Sequence, residues 1–367
     1  MKQHYLLWGG LGLGLVLLLL YPFQVGQQPF WLLVGLTALF YATLAASWSL
    51  LAGYTGQFSF AHMAFMGFAA YVSGLLGREL GLSPWISTPL AVLATGLLGW
   101  AIGYLCLRLR ATYLALFTIA FAEIFRLIVK AEVKLTGGPN GLELAPFWEN
   151  ASYVPAYYGM LAIFIISLLI MSLLVRSRYG FFFRAVREDE EAAAALGVHV
   201  VNTRVLAFVV SSMIAGLAGA VYHHYIGLIV PDEMIIGRMS LVIAMAVIGG
   251  SHNLVGAAIG AIFIHFALEL LQEIPLPASI IAFLAPYQPI LEQYGWGLDL
   301  SKNVLRTNAW RLVAFGILLM VTLRFWRNGL ISPIIERLSY ERAREGVAER
   351  FHGERTAAPE LDHPTSE

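Results

Sequence analysis

The residue types that ordinarily carry chemistry are present in this chain, but not at spacings that would make them a catalytic centre. His62, His224, His252 and His265 are linked by no His-Glu-x-x-His or comparable ligand spacing, so each is read as a hydrogen-bonded packing or pathway residue. No metal is assigned, no Ser/His/Asp arrangement is supported, and no catalytic residue is named. No Gly-x-x-x-x-Gly-Lys-Ser/Thr phosphate loop occurs, so ATP hydrolysis in the Walker fashion is not expected of this polypeptide. Glu123 and Arg126 stand three residues apart on one helix face, within the apolar run from Tyr113 to Lys130, where they can neutralise one another. Two readings of this intramembrane ion pair stand: a tie between helices or anchor near the outer interface, and a role on a substrate path.

Glycine clusters are the second chemical signal. Gly53, Thr55, Gly56, Ser59 and His62 interrupt one apolar region, and Gly249, Gly250 and Asn253 interrupt another. Backbone groups at membrane depth must be hydrogen-bonded or line a wet cavity, so such breaks mark helices facing a solute pathway. Their early and late positions fit an internal repeat. The competing reading is that glycine permits close helix packing, and it is preferred for Gly67, Gly256 and Gly260.

These residues must be positioned by elements whose solvent is lipid. The chain has 367 residues, of which 59% are hydrophobic and 13% charged, and its mean hydropathy is +0.72. That composition points to an all-α polytopic membrane protein. Lys plus Arg and Asp plus Glu are 23 each, so net charge supports neither a nucleic-acid partner nor an acidic substrate. The single cysteine, Cys106, excludes an internal disulfide framework. Apolar stretches long enough to cross a bilayer occupy roughly 5–23, 30–51, 57–78, 85–107, 111–130, 153–175, 205–227 and 309–325. Region 238–271 is divided at its glycines into two short pieces, either two crossings or a broken, re-entrant pair, for a total of about 8–10 helices. The first stretch is read as a retained helix and not a cleaved signal, because no small-x-small signature follows it and another apolar run begins at Phe30.

Basic residues set the orientation. Arg176, Arg178, Arg184, Arg187 and Arg204 lie in the loop after the sixth span, and Arg324, Arg327 and Arg337 follow the last. Placing these, Arg108 and Arg110 in the cytoplasm puts both termini there, with Thr136–Gly141 and Pro231–Glu233 outside. Lys134, Arg238, Lys302 and Arg306 fall on the outer side, so the bias is statistical. Residues 1–340 are read as the transmembrane domain, with a cytoplasmic loop at about 176–204. Residues 341–367 are read as a polar, disordered cytoplasmic tail.

Within that loop, acidic residues through Glu191 precede the alanine run Ala192–Ala195, and Gly197 follows. Acids at a first turn, alanines within and a glycine after predict a short surface helix. Alone, it could be an ordinary amphipathic helix at the membrane surface.

The spacing Glu191-Ala192-Ala193-x-x-x-Gly197, set among Arg184 and Arg187, resembles the coupling motif of ABC importer permeases. The stretch to Pro231, including Ala215-Gly216-Leu217-Ala218-Gly219-Ala220 and Tyr222-His223-His224-Tyr225, is similar to the branched-chain amino acid permease family of LivM type. So are Gly53 to His62 with Gly67, Thr136-Gly137-Gly138-Pro139-Asn140-Gly141, Gly249-Gly250 with Gly256 and Gly260, Trp310-Arg311-Leu312 and Gly329-Leu330-Ile331. The segment from about Glu273 to Asn308 and the tail depart from the pattern.

The resemblance implies a prokaryotic inner-membrane transport subunit without cofactor of its own. It implies two ATP-binding subunits that hydrolyse ATP, a second homologous permease and an external solute-binding protein as partners, besides membrane lipid. Solute-path candidates are then Gly53, Thr55, Gly56, Ser59, His62, Thr136, Gly137, Gly138, Asn140, Gly141, Gly249, Gly250 and Asn253. Coupling residues are Arg184, Arg187, Glu191, Ala192, Ala193 and Gly197. A branched-chain amino acid is the implied solute. Urea, short amides and other amino acids are alternatives within the class, and a stand-alone secondary transporter or a membrane-embedded enzyme lies outside it.

Overall fold

The computed structural model describes residues 2–26, 28–106, 111–148 and 153–270. It also describes the shorter pieces 273–275, 280, 283–293, 296–299 and 304–307, and residues 313, 316–317, 319–321 and 324. Arg108, Arg110, Arg327, Arg337, the motifs at 310–312 and 329–331, most of the 309–325 stretch and the 341–367 tail lie outside the described residues.

The chain folds as helices α1 (Lys2–Gln24), α2 (Pro29–Ser49), α3 (His62–Leu80), α4 (Pro84–Leu105), α5 (Ala111–Ala131) and the short α6 (Val133–Thr136). Then follow α7 (Tyr153–Arg176), α8 (Arg178–Glu188), α9 (Glu190–Ala195), α10 (Val200–Ile226), α11 (Ile236–Gly249) and α12 (Leu254–Leu270). Strands β1 (Leu142–Glu143) and β2 (Leu228–Ile229) pair antiparallel, bringing the segment after α6 to the end of α10. Later, β3 (Glu273–Pro275), β4 (Trp296–Asp299) and β5 (Val304–Thr307) form an antiparallel sheet in the order β3-β5-β4, an arrangement with no counterpart in the sequence reading.

Burial is distributed as lipid demands. The side chains that face outward on α4, α5 and α7 are large and apolar, among them Leu97, Trp100, Leu116, Ile128, Leu169 and Leu173. The interior instead holds Thr43, Ser47, Ser49, His62, Ser73, Thr95, Ser211 and Ser212 beside the core of Leu, Phe and Met. Each polar group inside a membrane bundle needs a partner from its own or a neighbouring helix. Ser73 accordingly meets Ser87 at 2.9 Å and His224 Nε2 at 2.7 Å.

Four described helical segments are long and apolar enough to cross a membrane, namely Pro29–Tyr54, Pro84–Leu105, Tyr153–Arg176 and Val200–Ile226. The pair α11–α12 adds a fifth, bent by 118° at its break. This set is smaller than the stretches read from sequence: the apolar part described in α1 is only Gly12–Gln24, most of 309–325 lies outside the described residues, and charged residues stand in α3 (Arg78 and Glu79) and in α5 (Glu123, Arg126 and Lys130). The bend turns the two arms of region 238–271 back on one another, a shape that two short crossings and a re-entrant pair share. Gly249, Gly256 and Gly260 line the close crossing, where a Cβ on Gly260 would stand 2.4 Å from Gly249 Cα. A similar approach seats α10 on α3, since a Cβ on Gly219 would stand 2.6 Å from the Met66 carbonyl oxygen.

Candidate functional site

The first glycine-rich break begins where α2 widens into a π-turn over Leu50–Tyr54. The Thr55 hydroxyl donates to Leu51 O at 2.6 Å, and the Gln57 amide bonds that same carbonyl at 3.2 Å. In a continuing α-helix the Gln57 amide would instead reach Gly53 O. The break therefore releases the Gly53 carbonyl, which accepts from Arg187 Nη1 at 2.6 Å. The chain then runs irregularly to α3, pinned by Trp48 Nε1 donating to Ser59 O at 2.9 Å and by the Phe60 amide donating to Thr118 Oγ1 at 3.0 Å.

The second break is the apex of the α11–α12 fold-back. Gly250 takes φ +116°, and Asn253 Oδ1 accepts from the amides of Val255 and Gly256 at 3.0 and 3.2 Å, capping α12. The Asn253 side-chain oxygen is thus occupied by backbone amides.

The two breaks meet. Ser49 Oγ donates to Ser251 O at 2.7 Å, and a Cβ on Gly53 would lie 1.8 Å from that oxygen, so only glycine allows this approach. Deeper in the bundle, Ser211 Oγ donates to Ser47 O at 2.7 Å and lies 2.7 Å from His62 Nε2. Because the Ser211 hydrogen is committed to the carbonyl, His62 donates from Nε2. Its Nδ1 has no hydrogen-bond partner among the described residues. Ser59, His62 and Thr55 are buried in this arrangement, whereas Gly56 is exposed.

Beside the breaks stands the α8–α9 unit. Phe183 and Val186 bury the inner face of α8. Asp189 Oδ1 accepts from the Glu191 and Ala192 amides, both at 3.0 Å, and caps α9. At the other end Gly197 takes φ +86°, with Val198 N bonded to Ala193 O and Gly197 N to Ala194 O, the pairing of a Schellman motif. The sequence-predicted surface helix is present, and α8 precedes it as a separate helix. Glu191 and Ala192 are exposed, but Ala193 turns inward. Arg184 bonds its own helix at Gly180 O, 3.1 Å away, and its guanidinium carbon lies 5.2 Å from the Phe181 ring centre. An ion pair between Arg204 and Glu190 fastens α9 to α10.

The remaining candidates lie at the opposite end of α10, whose 27 residues span about 40 Å at 1.5 Å per residue. There Gly137, Gly138 and Gly141 take positive φ, and the Thr136 hydroxyl donates to Val129 O at 2.7 Å. Asn140 is exposed. Arg126 holds Glu123 through Nε at 3.0 Å and reaches Asp232 through Nη1 at 3.0 Å, so the expected pair is also a tie between α5 and the 231–234 turn. Close by, burial raises the Glu233 carboxyl above its ordinary pKa, opposed by the Arg238 guanidinium. Sequence reasoning paired Arg126 with Glu123 but not with Asp232, and it named Arg187 without its acceptor, Gly53 O. It missed Ser49 and Ser211, for which serine within an apolar run was the available signal. The histidines are dispersed: His252 Nδ1 stands 3.3 Å from Arg187 Nη1, and His265 lies 5.4 Å from the Tyr41 ring.

Residues 31–323 match the family described as the permease component of the branched-chain amino acid transport system. The chain is 27% identical over 287 residues to the high-affinity branched-chain amino acid transport permease LivM of Salmonella typhimurium, covering 71% of this chain and 67% of that one. Identity to LivM of Escherichia coli is 28% over the same shares. The autoinducer 2 import permease LsrC of Salmonella typhimurium is 29% identical over 231 residues, covering 58% of this chain and 64% of the relative. No solved structure matches. With the family matched over most of its length and a helical membrane bundle to go with it, this chain belongs to the permease components of branched-chain amino acid transport systems.

Proposed function

We propose that the protein is a transmembrane subunit of an ATP-driven importer of branched-chain amino acids, whose path forms against a second permease of the same family. The observation that carries this reading is the capped, outward-facing α9 on a helix pair that touches both glycine-rich breaks. An exposed helix so placed can receive a push from a partner and deliver it to irregular backbone. Two ATP-binding subunits would dock on α8–α9 and hydrolyse the nucleotide, and an external solute-binding protein would deliver the ligand. This chain would contribute no cofactor.

In this reading α8–α9 and both termini face the cytoplasm, and the Thr136–Gly141 turn faces outward, as the arginine placement directs. Residues 1–340 act as the permease domain, with 341–367 as a cytoplasmic tail. The path candidates around Gly53–His62 and Gly249–Asn253 meet solute when the cycle separates the two breaks, and the Thr136–Gly141 turn lies at the outer mouth. Import by alternating access follows from two arrangements of the same bundle. The similarity to autoinducer 2 import permeases supports a second reading of the cargo, a different small polar solute carried by the same mechanism.

The test is purification of the native complex from its own membrane, followed by uptake in proteoliposomes. Co-purifying ATP-binding subunits and ATP-dependent uptake of leucine, isoleucine or valine are expected. A solitary chain that moves solute with an ion gradient would overturn the reading.

A further inference from the structure

Arg187 sits in the last turn of α8, two residues before the cap of α9. Its Nη1 donates to Gly53 O at 2.6 Å and stands 3.3 Å from His252 Nδ1 at the fold-back apex. Its Cγ lies 3.3 Å from where a Cβ on Gly56 would be, and Gly56 has φ +71°. One side chain thus reaches both breaks, its guanidinium on Gly53 O and at His252 and its aliphatic stem beside Gly56. Arg184, one turn earlier, does none of this, because it is turned back on Gly180 O and Phe181.

The geometry suits a contact that can be made and undone. A bond from a guanidinium to a carbonyl freed by a helix break is charge-assisted and directional. Nevertheless the Arg187 side chain is 30% exposed, and its Nη2 lies 3.6 Å from the solvent-facing Glu188 carboxylate. Water can replace such a contact at small cost. A further tie of the unit, Glu190 to Arg204, leads to α10 and touches neither break.

We infer that Arg187 is the positioning residue that passes movement of α8–α9 to the two breaks. While its guanidinium holds Gly53 and His252, the breaks stay closed on one another through Ser49 and Ser251. Displacement of α8–α9 withdraws the guanidinium and lets them part. This rests on the transport reading above and adds to it a specific route from the docking unit to the pathway.

The experiment uses the complete transporter in proteoliposomes, with Arg187→Ala and Arg187→Lys in this chain. Solute moved per ATP hydrolysed is expected to fall by about tenfold in Arg187→Ala, within the range usual for coupled sites. Arg187→Lys, which keeps one charged donor, is expected to recover part of that ratio. If uptake, hydrolysis and complex yield fall together and the ratio holds, Arg187 is a packing residue and the inference is overturned.

A second measurement leaves Arg187 intact. In a Cys106→Ser background, Glu188→Cys and Ser251→Cys are joined with a short bifunctional maleimide, with and without a non-hydrolysable ATP analogue. The cross-link is expected to form without nucleotide and to fall several-fold with it, and equal yields would overturn the inference. Failure of the wild-type complex to move branched-chain amino acids would reject the solute assignment alone, because the cross-link still reads the contact.

Discussion

Ser49 Oγ donates to the carbonyl oxygen of Ser251 at 2.7 Å, joining the end of α2 to the apex of the α11–α12 fold-back across 202 residues of chain. Both sides of this contact are tight, since Gly53 leaves no room for a Cβ against the same oxygen. Ser49→Ala is expected to destabilise the protein by about 1–2 kcal/mol, the cost of removing a hydrogen bond made by a buried hydroxyl to a half-buried carbonyl. Gly53→Ala should cost about 1–3 kcal/mol, because backbone and not a flexible side chain must yield. The double variant should lose less than the sum of the two, since either change opens the same junction. Unfolding in mild detergent measures all three, and strict additivity would show that the two residues act separately.

Two buried serines should respond in opposite ways. Ser211 receives the Nε2–H of His62 and passes its own hydrogen to Ser47 O, so Ser211→Ala orphans a ring donor in a dry interior. A loss of about 1–3 kcal/mol is expected. Ser167 is also buried, yet its hydroxyl has no partner among the described residues. Ser167→Ala should therefore be neutral, or stabilising by up to about 1 kcal/mol, because an unpaired polar group is removed. Equal losses at both positions would show that burial and not hydrogen bonding sets the effect.

The helices were legible because lipid imposes a length, so runs such as 153–175 and 85–107 can hardly be anything else. Alpha-helix α9 was legible from its acids, its alanines and Gly197. Its rotation was not, because four consecutive alanines carry no apolar period, and the structure turns Ala193 inward where docking had been expected of it. Asn253 shows another limit. A polar residue in an apolar run reveals that something must satisfy it, but not that the partners are the Val255 and Gly256 amides. The meeting of Gly53 with Ser251 was hidden for a similar reason, since nothing in either local pattern selects a partner so distant. The strands β3–β5 lie in the segment that departs from the family pattern, and no alternation drew attention to them.

The surface of α9 should separate docking from folding. Leu196 is 86% exposed at the end of that helix, while Ala193 is 3% exposed. Leu196→Ser is expected to leave the stability of this chain within about 0.5 kcal/mol, as for other exposed positions, while weakening its association with ATP-binding subunits. Ala193→Glu should instead destabilise the chain itself, because it places a charge against α8 and α10. Pull-down yields compared with detergent melting curves distinguish the two. Unimpaired association of the Leu196 variant would remove this surface from the proposed docking face.

The orientation follows from arginine placement and can be tested in intact cells. In a Cys106→Ser background, a cysteine at Asn140 should react with a membrane-impermeant thiol reagent, whereas one at Glu191 should react only after the membrane is opened. Both positions are exposed in the fold, so a difference between them reports the membrane and not burial. The reverse pattern would invert the topology and place α8–α9 outside, where no ATP-binding subunit could meet it.

Accessibility at the breaks should change through the transport cycle. Ser59 is fully buried and hydrogen-bonded through its carbonyl to Trp48, and Gly250 is buried at the fold-back, whereas Gly56 is exposed. If the breaks part to admit solute, a cysteine at 59 should be inert to small water-soluble thiol reagents in the resting complex and should react once ATP is bound. A cysteine at 56 should react in both states, although its backbone at φ +71° strains any side chain there. Position 250, with φ +116°, is strained in the same way, so position 59 carries the decision. Weak contact with the ligand is expected, because tight binding at the break would slow release. Bulky substitution at Ser59 should consequently lower uptake while leaving the affinity of the separate solute-binding protein unchanged. A cysteine at 59 that stays inert in every nucleotide state, in a complex with normal uptake, would place the pathway elsewhere and leave these glycines as packing devices.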